Sequence, residues 1–171
     1  KKRKEVLTWM DTYMDYGMCL DIPSQSLTTY HIKDPKTVEK DKEGNIIPGS
    51  GKSAHGIQYI EDAIKATHIN NEYFIQNRSG KCKFLNVLQG RHRTQSDSWY
   101  QEMKKYCDPT IYPDNHFNGW AFGGQNKIDI DLMLRRLIDI IYDGLLIPGK
   151  HDLIHCLGVS IMEYAVLFSD I

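Results

Sequence analysis

The residues that could do chemistry are polar side chains that follow short apolar runs. Asp21 lies in the run Met18-Cys-Leu-Asp-Ile-Pro23, and Gln89 ends the run Phe84-Leu-Asn-Val-Leu-Gln-Gly90. A third run, Phe117-Asn-Gly-Trp-Ala-Phe-Gly-Gly124, contains Asn118 and Gly119 and closes on paired glycines. Short apolar runs bounded by glycine or proline predict buried strands. Because ligands of parallel α/β proteins bind at the loops after the strands, we expect these residues to meet at one edge of a sheet.

These residue types could together recognise a purine. The carboxylate of Asp21 can accept from a guanine-type N1–H and exocyclic amine, while the Gln89 amide and the backbone N–H of Gly119 can donate to O6. Glycine in the third run lets a flat aromatic ring approach the backbone. A single polar residue or glycine pair at the end of a strand is common, so only the combination predicts a base-binding pocket.

Helical and strand patterns alternate along the chain. Apolar spacing predicts helices over 5–16, 57–68, 99–106, 128–142 and 161–168, and strands over 18–22, 84–88, 119–122 and 153–159. Strands separated by helices pair in parallel, and no G-x-G-x-x-G segment follows any of them. The order predicts an α/β fold, a partial (β/α)8 barrel of the TIM type, in one catalytic-type domain over residues 1–171. Because part of a barrel alone leaves its sheet edges open, we expect the chain to be a fragment of a longer protein.

A polar stretch at about 31–56 interrupts this alternation and predicts a long solvated loop. It contains Gly49-Ser-Gly-Lys-Ser53, which resembles part of a phosphate-binding loop. That interpretation fails, because Ile46 stands where the motif requires its first glycine.

Composition limits the class of protein. The net charge is -1, which argues against a globally basic nucleic-acid binder but allows a local basic patch. No apolar run is long enough to span a membrane and no signal peptide is visible, so we expect a cytoplasmic protein. The cysteines are widely spaced, which predicts reduced thiols and no zinc site: Cys19, Cys82, Cys107 and Cys156. His151 and His155 are predicted to be structural or surface residues.

Four segments, in this order, resemble the tRNA-guanine transglycosylases, barrel enzymes that exchange guanine in RNA for a 7-deazaguanine base. The run around Asp21 looks like the strand that carries the family's base-recognising aspartate, and Val87-Leu-Gln-Gly90 looks like its V-Q-G segment. Asn118-Gly-Trp-Ala-Phe-Gly-Gly124 looks like G-G-L-A-V-G, and Leu157-Gly-Val159 resembles L-M-G-V. The resemblance implies a pocket with the following members: Asp21, Gln89, Asn118, Gly119 as backbone donor, Leu157 and Gly158.

This sequence departs from the family pattern at three positions of the third segment. Asn118 replaces the first glycine, Trp120 replaces the leucine, and Gly124 stands where many RNA-modifying members have a glutamate. With the long polar insert, these departures favour the branch of the family that acts on DNA, or another divergent branch. The polymer substrate, tRNA or DNA, and the 7-substituent of the base stay open.

The family's catalytic aspartates are expected outside this chain. The D-S-G-G-F-Q strand with the general base would precede residue 1. The nucleophile would lie on the next strand, after the Leu-Gly-Val strand and the helix that follows it. Asp170 is not that nucleophile, because only a dozen residues with helical periodicity separate it from Gly158. The family's structural zinc would lie further towards the carboxyl terminus, so no cofactor is expected in this segment.

The resemblance implies a nucleic acid and a 7-deazaguanine base as partners, and homodimers are common in the family. Nearby basic residues could contact phosphates or form a solvated surface: Arg91, His92, Arg93, Lys104 and Lys105. Two alternatives stay open. The chain could be a barrel that binds a base or nucleic acid without chemistry, or another barrel enzyme such as an aldolase or decarboxylase. The predicted strand ends carry no lysine, which counts against an aldolase or decarboxylase.

Overall fold

A parallel sheet of four strands forms the centre of the protein. The computed structural model describes residues 2–24, 40–44, 57, 59–158 and 166. The strands lie side by side in chain order and every neighbouring pair is parallel: β1 (Tyr16–Met18), β2 (Lys83–Leu88), β3 (Gly119–Phe122) and β4 (Leu153–Cys156). The α/β prediction is confirmed as a half-barrel sheet alternating with helices. The described residues do not form a full (β/α)8 barrel.

Helices alternate with the strands as predicted. They are α1 (Lys2–Tyr13), α2 (Ile60–Asn77), α3 (Arg93–Met103) and α4 (Ile130–Tyr142), with single 3-10 turns at Lys104–Cys107 and Gly124–Lys127. The Asp129 side chain caps α4 by accepting from Leu132 N–H at 3.1 Å. Because each helix after a strand runs back along the sheet, the loops that follow β1, β2 and β3 all lie at the same edge.

The helices pack on one side of the sheet through large aromatic residues. Phe84 of β2 packs edge-on against Phe74 of α2, with 5.1 Å between ring centroids. Trp120 of β3 lies 5.9 Å from the Tyr100 ring of α3 and donates to Leu145 O at 3.0 Å. All four rings are fully buried, so this layer supplies much of the hydrophobic stabilisation.

The predicted element bounds were wrong in several places. β1 ends at Met18, so Asp21 lies three residues beyond the strand, and Gly17 lies within β1 although it was expected to end α1. α2 continues to Asn77 and includes the apolar run that starts at Tyr73. β4 ends at Cys156. The predicted helix over 161–168 apart from residue 166, Asp170, and the 31–56 loop apart from 40–44 lie outside the described residues.

The buried face of α4 also differs from the prediction. The sequence predicts a face that includes Ile138 and Ile141, yet these side chains are 56% and 41% exposed. Met133 and Leu137 are buried as predicted, but the rest of the buried face consists of Leu132, Arg136 and Ile140. The residues of the predicted face and those of the buried face both have helical spacing. The charge of Arg136 makes the buried face less apolar in sequence, so the pattern favoured the other face.

Candidate functional site

Two of the predicted site residues meet at the carboxyl edge of the sheet. Gln89 directly follows β2 and Asp21 follows β1 by three residues. The amide Nε2 of Gln89 donates to the Asp21 carboxylate Oδ2 at 2.6 Å. A hydrogen bond to an ionised acceptor is stronger than a neutral one, so this contact fixes the orientation of both side chains.

Ser24 holds the other end of the Gln89 amide. The backbone N–H and the hydroxyl of Ser24 each lie 3.3 Å from Gln89 Oε1 and donate to it. Ser24 is fully buried and Gln89 is only 5% exposed. The amide oxygen therefore accepts from Ser24, and the amide nitrogen donates one of its hydrogens to Asp21. Sequence reasoning missed Ser24, because nothing in its local pattern marks a contact with a residue 65 positions away.

The glycine pair after β3 makes room for this amide. A Cβ at Gly123 would lie 2.7 Å from Gln89 Nε2, and one at Gly124 would lie 2.8 Å from Gln89 Oε1. Gly124 also has a positive φ of 59°, which side chains other than glycine rarely adopt. Both glycines are thus required by the close approach of their backbone to Gln89.

A buried network behind the pair supports the loops after β2 and β3. Ser96 of α3 donates to Asn126 Oδ1 at 2.7 Å, and Asn126 donates to the carbonyl of Gly123 at 3.3 Å. The guanidinium of Arg136, only 1% exposed, donates to the Ser96 hydroxyl and to Asp97. Ser96 fits the predicted polar start of a helix, whereas Asn126 and Arg136 were not predicted.

Asn118 and Gly119 do not join Asp21 and Gln89. Gly119 begins β3 and pairs with Leu85, whereas Gln89 lies four residues further along. At roughly 3.3 Å per residue, this separation is about 13 Å. The expectation that these residues share one edge is wrong, because Asn118 and Gly119 lie at the amino edge.

The side chain of Asn118 has a structural partner at that edge. Its Oδ1 accepts from Arg78 Nη2 at 2.9 Å, and its backbone N–H donates to Phe84 O at 2.7 Å. Gly119 is needed for packing, since a Cβ there would overlap the carbonyl oxygen of Leu153. Trp120 faces the helices and is fully buried.

Leu157 and Gly158 do lie at the carboxyl edge, one strand beyond the glycine pair. The N–H of Leu157 donates to Phe122 O at 3.1 Å and extends the β3–β4 ladder. Leu157 is half-buried, and Gly158 is exposed in a turn with a φ of 68°.

The predicted phosphate-binding residues separate into two groups. Arg91 and Arg93 are exposed at the start of α3, next to the site. Lys104 and Lys105 lie past the far end of α3, about 16 Å away at about 1.5 Å per residue. They are in ion pairs there, Lys104 with Asp143 at 3.0 Å and Lys105 with Glu72 at 3.5 Å. Only the first group can act at the site.

A cleft borders the site on the side of α1. It has a volume of about 730 Å³ and its lining includes Asp21. The other residues that line it come from the start of α1, from the segment after β1 and from α2: Lys2, Arg3, Lys4, Val6, Leu20, Ile22, Asn70 and Tyr73. A cleft of this size can hold a nucleobase with part of its nucleotide.

The cysteines near the site do not act as nucleophiles. Burial, reinforced by the neighbouring Asp21 carboxylate, raises the pKa of the Cys19 thiol, so the thiol stays protonated. All four cysteines are free thiols, as expected. His151 is buried and His155 is exposed on β4.

Among the residues that the structure describes, no group of three or more His, Cys, Asp or Glu side chains is placed to hold a metal ion. None of the helices within the described ranges is long and apolar enough to cross a membrane. Comparison with known proteins gave no matching family model, curated protein or solved structure.

Proposed function

We propose that this chain supplies the base-recognition side of a transglycosylase that replaces guanine in a nucleic acid by a 7-deazaguanine derivative. In this proposal the sheet is part of a (β/α)8 barrel of the TIM type. The observation that carries it is the hydrogen bond between Asp21 and Gln89 at the carboxyl edge, beside a cleft that Asp21 lines. The carboxyl edge is where enzymes with parallel β/α sheets bind their ligands.

The donors and acceptors of this pair are complementary to the edge of guanine. Guanine presents an exocyclic amine and N1–H as donors and O6 as an acceptor. Asp21 can accept from both donors. The Gln89 amide nitrogen carries two hydrogens, of which Asp21 takes one, and the other can donate to O6. Adenine presents an acceptor at N1 and an amine at position 6, so it would leave the carboxylate poorly matched.

The same edge is present in 7-deazaguanine, because the 7-position belongs to the opposite side of the bicyclic ring. A pocket that reads this edge accepts the leaving base and the entering base equally. The Asp21–Gln89 pair therefore fits a base-exchange reaction, and selection among 7-substituents must come from other residues.

The resemblance to the G-G-L-A-V-G segment is better placed on Gly123 and Gly124 than on Asn118 and Gly119. Gly123 and Gly124 are the glycines that touch Gln89, and they follow β3 at the carboxyl edge. After this shift only the two glycines correspond to the segment. The role of backbone donor to O6 is accordingly no longer assigned to Gly119.

In the proposed reaction an aspartate carboxylate, supplied from outside the described residues, attacks C1′ of the target nucleotide. The glycosidic bond breaks, and guanine leaves with the bonding electron pair and takes a proton at N9 from a general acid outside the described residues. The entering base gives its N9 proton to the same group, now a base, and attacks C1′, which releases the carboxylate. Asp21 and Gln89 hold both bases in the same plane, so their contribution is positioning.

Calorimetric titration with guanine, hypoxanthine and adenine tests the recognition step. Hypoxanthine lacks the exocyclic amine, so affinity should fall in the order guanine, hypoxanthine, adenine. Asp21→Asn should weaken guanine binding about 10- to 100-fold, because it removes a charged acceptor worth about 1.5–3 kcal/mol. Asp114→Asn, an exposed carboxylate in the loop before β3, is the matched control. Equal affinity of Asp21→Asn and wild type for guanine would contradict the role of Asp21.

A non-catalytic base-binding barrel is the second candidate, since no described residue is assigned as the nucleophile. Exchange of labelled guanine into tRNA and into DNA by the full-length protein distinguishes the two. Incorporation into one polymer supports the transglycosylase and identifies its substrate. Base binding without incorporation into either polymer supports the binding protein.

A further inference from the structure

We propose that Lys2, Arg3 and Lys4, at the start of α1, bind the phosphodiester backbone of a nucleic acid next to the base in the Asp21 pocket. This inference rests on the proposed function, since it assigns the part of the substrate that adjoins the base. Lys2, Arg3 and Lys4 would form a second cationic group, in addition to the exposed Arg91 and Arg93 at the start of α3.

The three cations lie in the same cleft as the base-recognising carboxylate. Lys2, Arg3, Lys4 and Asp21 all line the cavity of about 730 Å³ between α1, α2 and the segment after β1. A base that contacts Asp21 would therefore have its ribose and a flanking phosphate within the same cleft. A pocket for a free base would not need cations in its wall.

Arg3 is held in place relative to Asp21 by two hydrogen bonds. Its Nε donates to Asn70 Oδ1 at 2.5 Å, and Asn70 Nδ2 donates to the carbonyl of Leu20 at 2.8 Å. Leu20 is the residue before Asp21. Only Nε of the guanidinium is used in this chain of contacts, which leaves a fork of N–H donors suited to phosphate oxygens.

The three basic residues are not held in ion pairs with described acidic side chains. Within the described ranges, no carboxylate lies within 4.0 Å of the charged nitrogens of Lys2, Arg3 or Lys4, although Glu5 follows them in α1 and Asp21 lines the same cleft. Elsewhere, Lys104 is in an ion pair with Asp143, and Arg93 and Arg136 are in ion pairs with Asp97. The start of α1 thus concentrates positive charge at the rim of a pocket on a protein of net charge -1.

The two cationic groups adjoin different members of the base-recognising pair. Lys2, Arg3 and Lys4 line the same cleft as Asp21, whereas Arg91 and Arg93 follow β2 and Gln89 in the chain. A nucleotide inside a polynucleotide has a phosphate on each side of it. This arrangement suits a target base extruded from a chain better than it suits a mononucleotide.

The test compares two triple variants with the same change of charge. The first is Lys2→Gln/Arg3→Gln/Lys4→Gln, and the control is Lys65→Gln/Lys81→Gln/Lys150→Gln, which alters exposed lysines elsewhere. Binding of single-stranded RNA and DNA oligonucleotides with a central guanine is measured by fluorescence anisotropy across salt concentrations, and guanine binding by calorimetry. Lys2→Gln/Lys4→Gln keeps the contact between Arg3 and Asn70, and circular dichroism checks that each variant is folded.

We expect the first triple variant to bind oligonucleotide about 10- to 100-fold more weakly at low salt, with a salt slope reduced by about 2, because three phosphate contacts are lost. The double variant should show part of this loss, and the control should match wild type. Guanine affinity is measured in parallel, and any loss of guanine affinity should be much smaller than the loss of oligonucleotide affinity. Comparison of the RNA and DNA oligonucleotides shows which polymer binds to this site more tightly.

Three results would overturn the phosphate site. The salt slope of oligonucleotide binding could be unchanged in the first triple variant, or the control could lose as much oligonucleotide affinity as that variant. The third is that binding of poly-glutamate depends on Lys2, Arg3 and Lys4 to the same extent as binding of oligonucleotide. Failure of the proposed function gives a different pattern. Wild type would then bind no guanine, whereas oligonucleotide binding would still depend on Lys2, Arg3 and Lys4.

Discussion

The two edges of the sheet use buried polar side chains in different ways. At the carboxyl edge, Gln89 contacts another side chain, Asp21, beside an open cleft. At the amino edge, Arg78 donates to the carbonyls of His116 and Cys82 at 3.2 and 2.8 Å, as well as to Asn118. Polar groups that satisfy backbone carbonyls secure loops, whereas a paired carboxylate and amide at a cleft can exchange partners with a ligand. This difference supports the proposal that the carboxyl edge recognises a ligand while the amino edge contributes to stability.

Removal of Arg78 should give the largest effect on stability. Arg78→Met would leave the carbonyls of His116 and Cys82 and the Asn118 amide oxygen without their donor, at a cost of about 2–4 kcal/mol in the free energy of unfolding. Urea denaturation measures this loss, and Arg135→Met on the exposed side of α4 is the control. Guanine affinity of the folded variant should stay at the wild-type value. A large loss of guanine affinity would show that the two edges do not have separate roles.

The second prediction applies one chemical change, amide to carboxylate, at both edges. Gln89→Glu places a carboxylate against Asp21, where the native contact is 2.6 Å, and like charges at this distance should cost about 1–3 kcal/mol. Asn118→Asp instead places a carboxylate beside the Arg78 guanidinium. It should be neutral or stabilise by up to about 1 kcal/mol.

The stabilities of these two variants should also depend on pH in opposite directions. Lower pH allows the Asp21 and Glu side chains of Gln89→Glu to share a proton, so its stability deficit relative to wild type should shrink as the pH falls towards 4, within the range where carboxyl groups titrate. Asn118→Asp should lose its gain over the same range, because protonation removes the new charge. Unfolding in urea at several pH values measures both trends. Parallel pH curves for the two variants would contradict the assignment of different environments.

The sequence was sufficient to predict the order of the elements and that Asp21 and Gln89 lie close together, because each belongs to the end of its own apolar run. It did not predict the hydrogen bond between them. The prediction was wrong for Asn118 and Gly119. Gly119 begins the predicted strand over 119–122, so chain direction already places it at the amino edge, and the resemblance to G-G-L-A-V-G put it in the pocket. Ser24 and Arg136 were missed for another reason. Their partners lie far away in the chain, and burial of an arginine on a helix face follows from tertiary packing.

The smallest effect is expected at the amino edge, from His151. This side chain is 5% exposed; its Nδ1 accepts from Ile147 N–H at 3.0 Å and its Nε2 lies 2.7 Å from Cys107 O, which fits a neutral ring with hydrogen on Nε2. Burial lowers the pKa of His151, and the nearby His116 and Lys150 act in the same direction. The hydrogen bond to the Cys107 carbonyl and the charge of Asp152 oppose this shift but do not reverse it.

Because the folded protein favours the neutral ring, the unfolded chain takes up the proton more readily. The stabilisation from His151 is therefore fully present above about pH 6.5, the ordinary pKa of histidine, and is lost as the pH falls towards the lower pKa of the folded state. One group contributes at most about 1.4 kcal/mol per pH unit to this slope. Unfolding free energies between pH 8 and 5 should fall less steeply in His151→Gln than in wild type. The control is His155→Gln, which alters the exposed histidine of β4 and should keep a pH slope closer to wild type. A slope in His151→Gln as steep as that of wild type would show that protonation of His151 does not destabilise the fold.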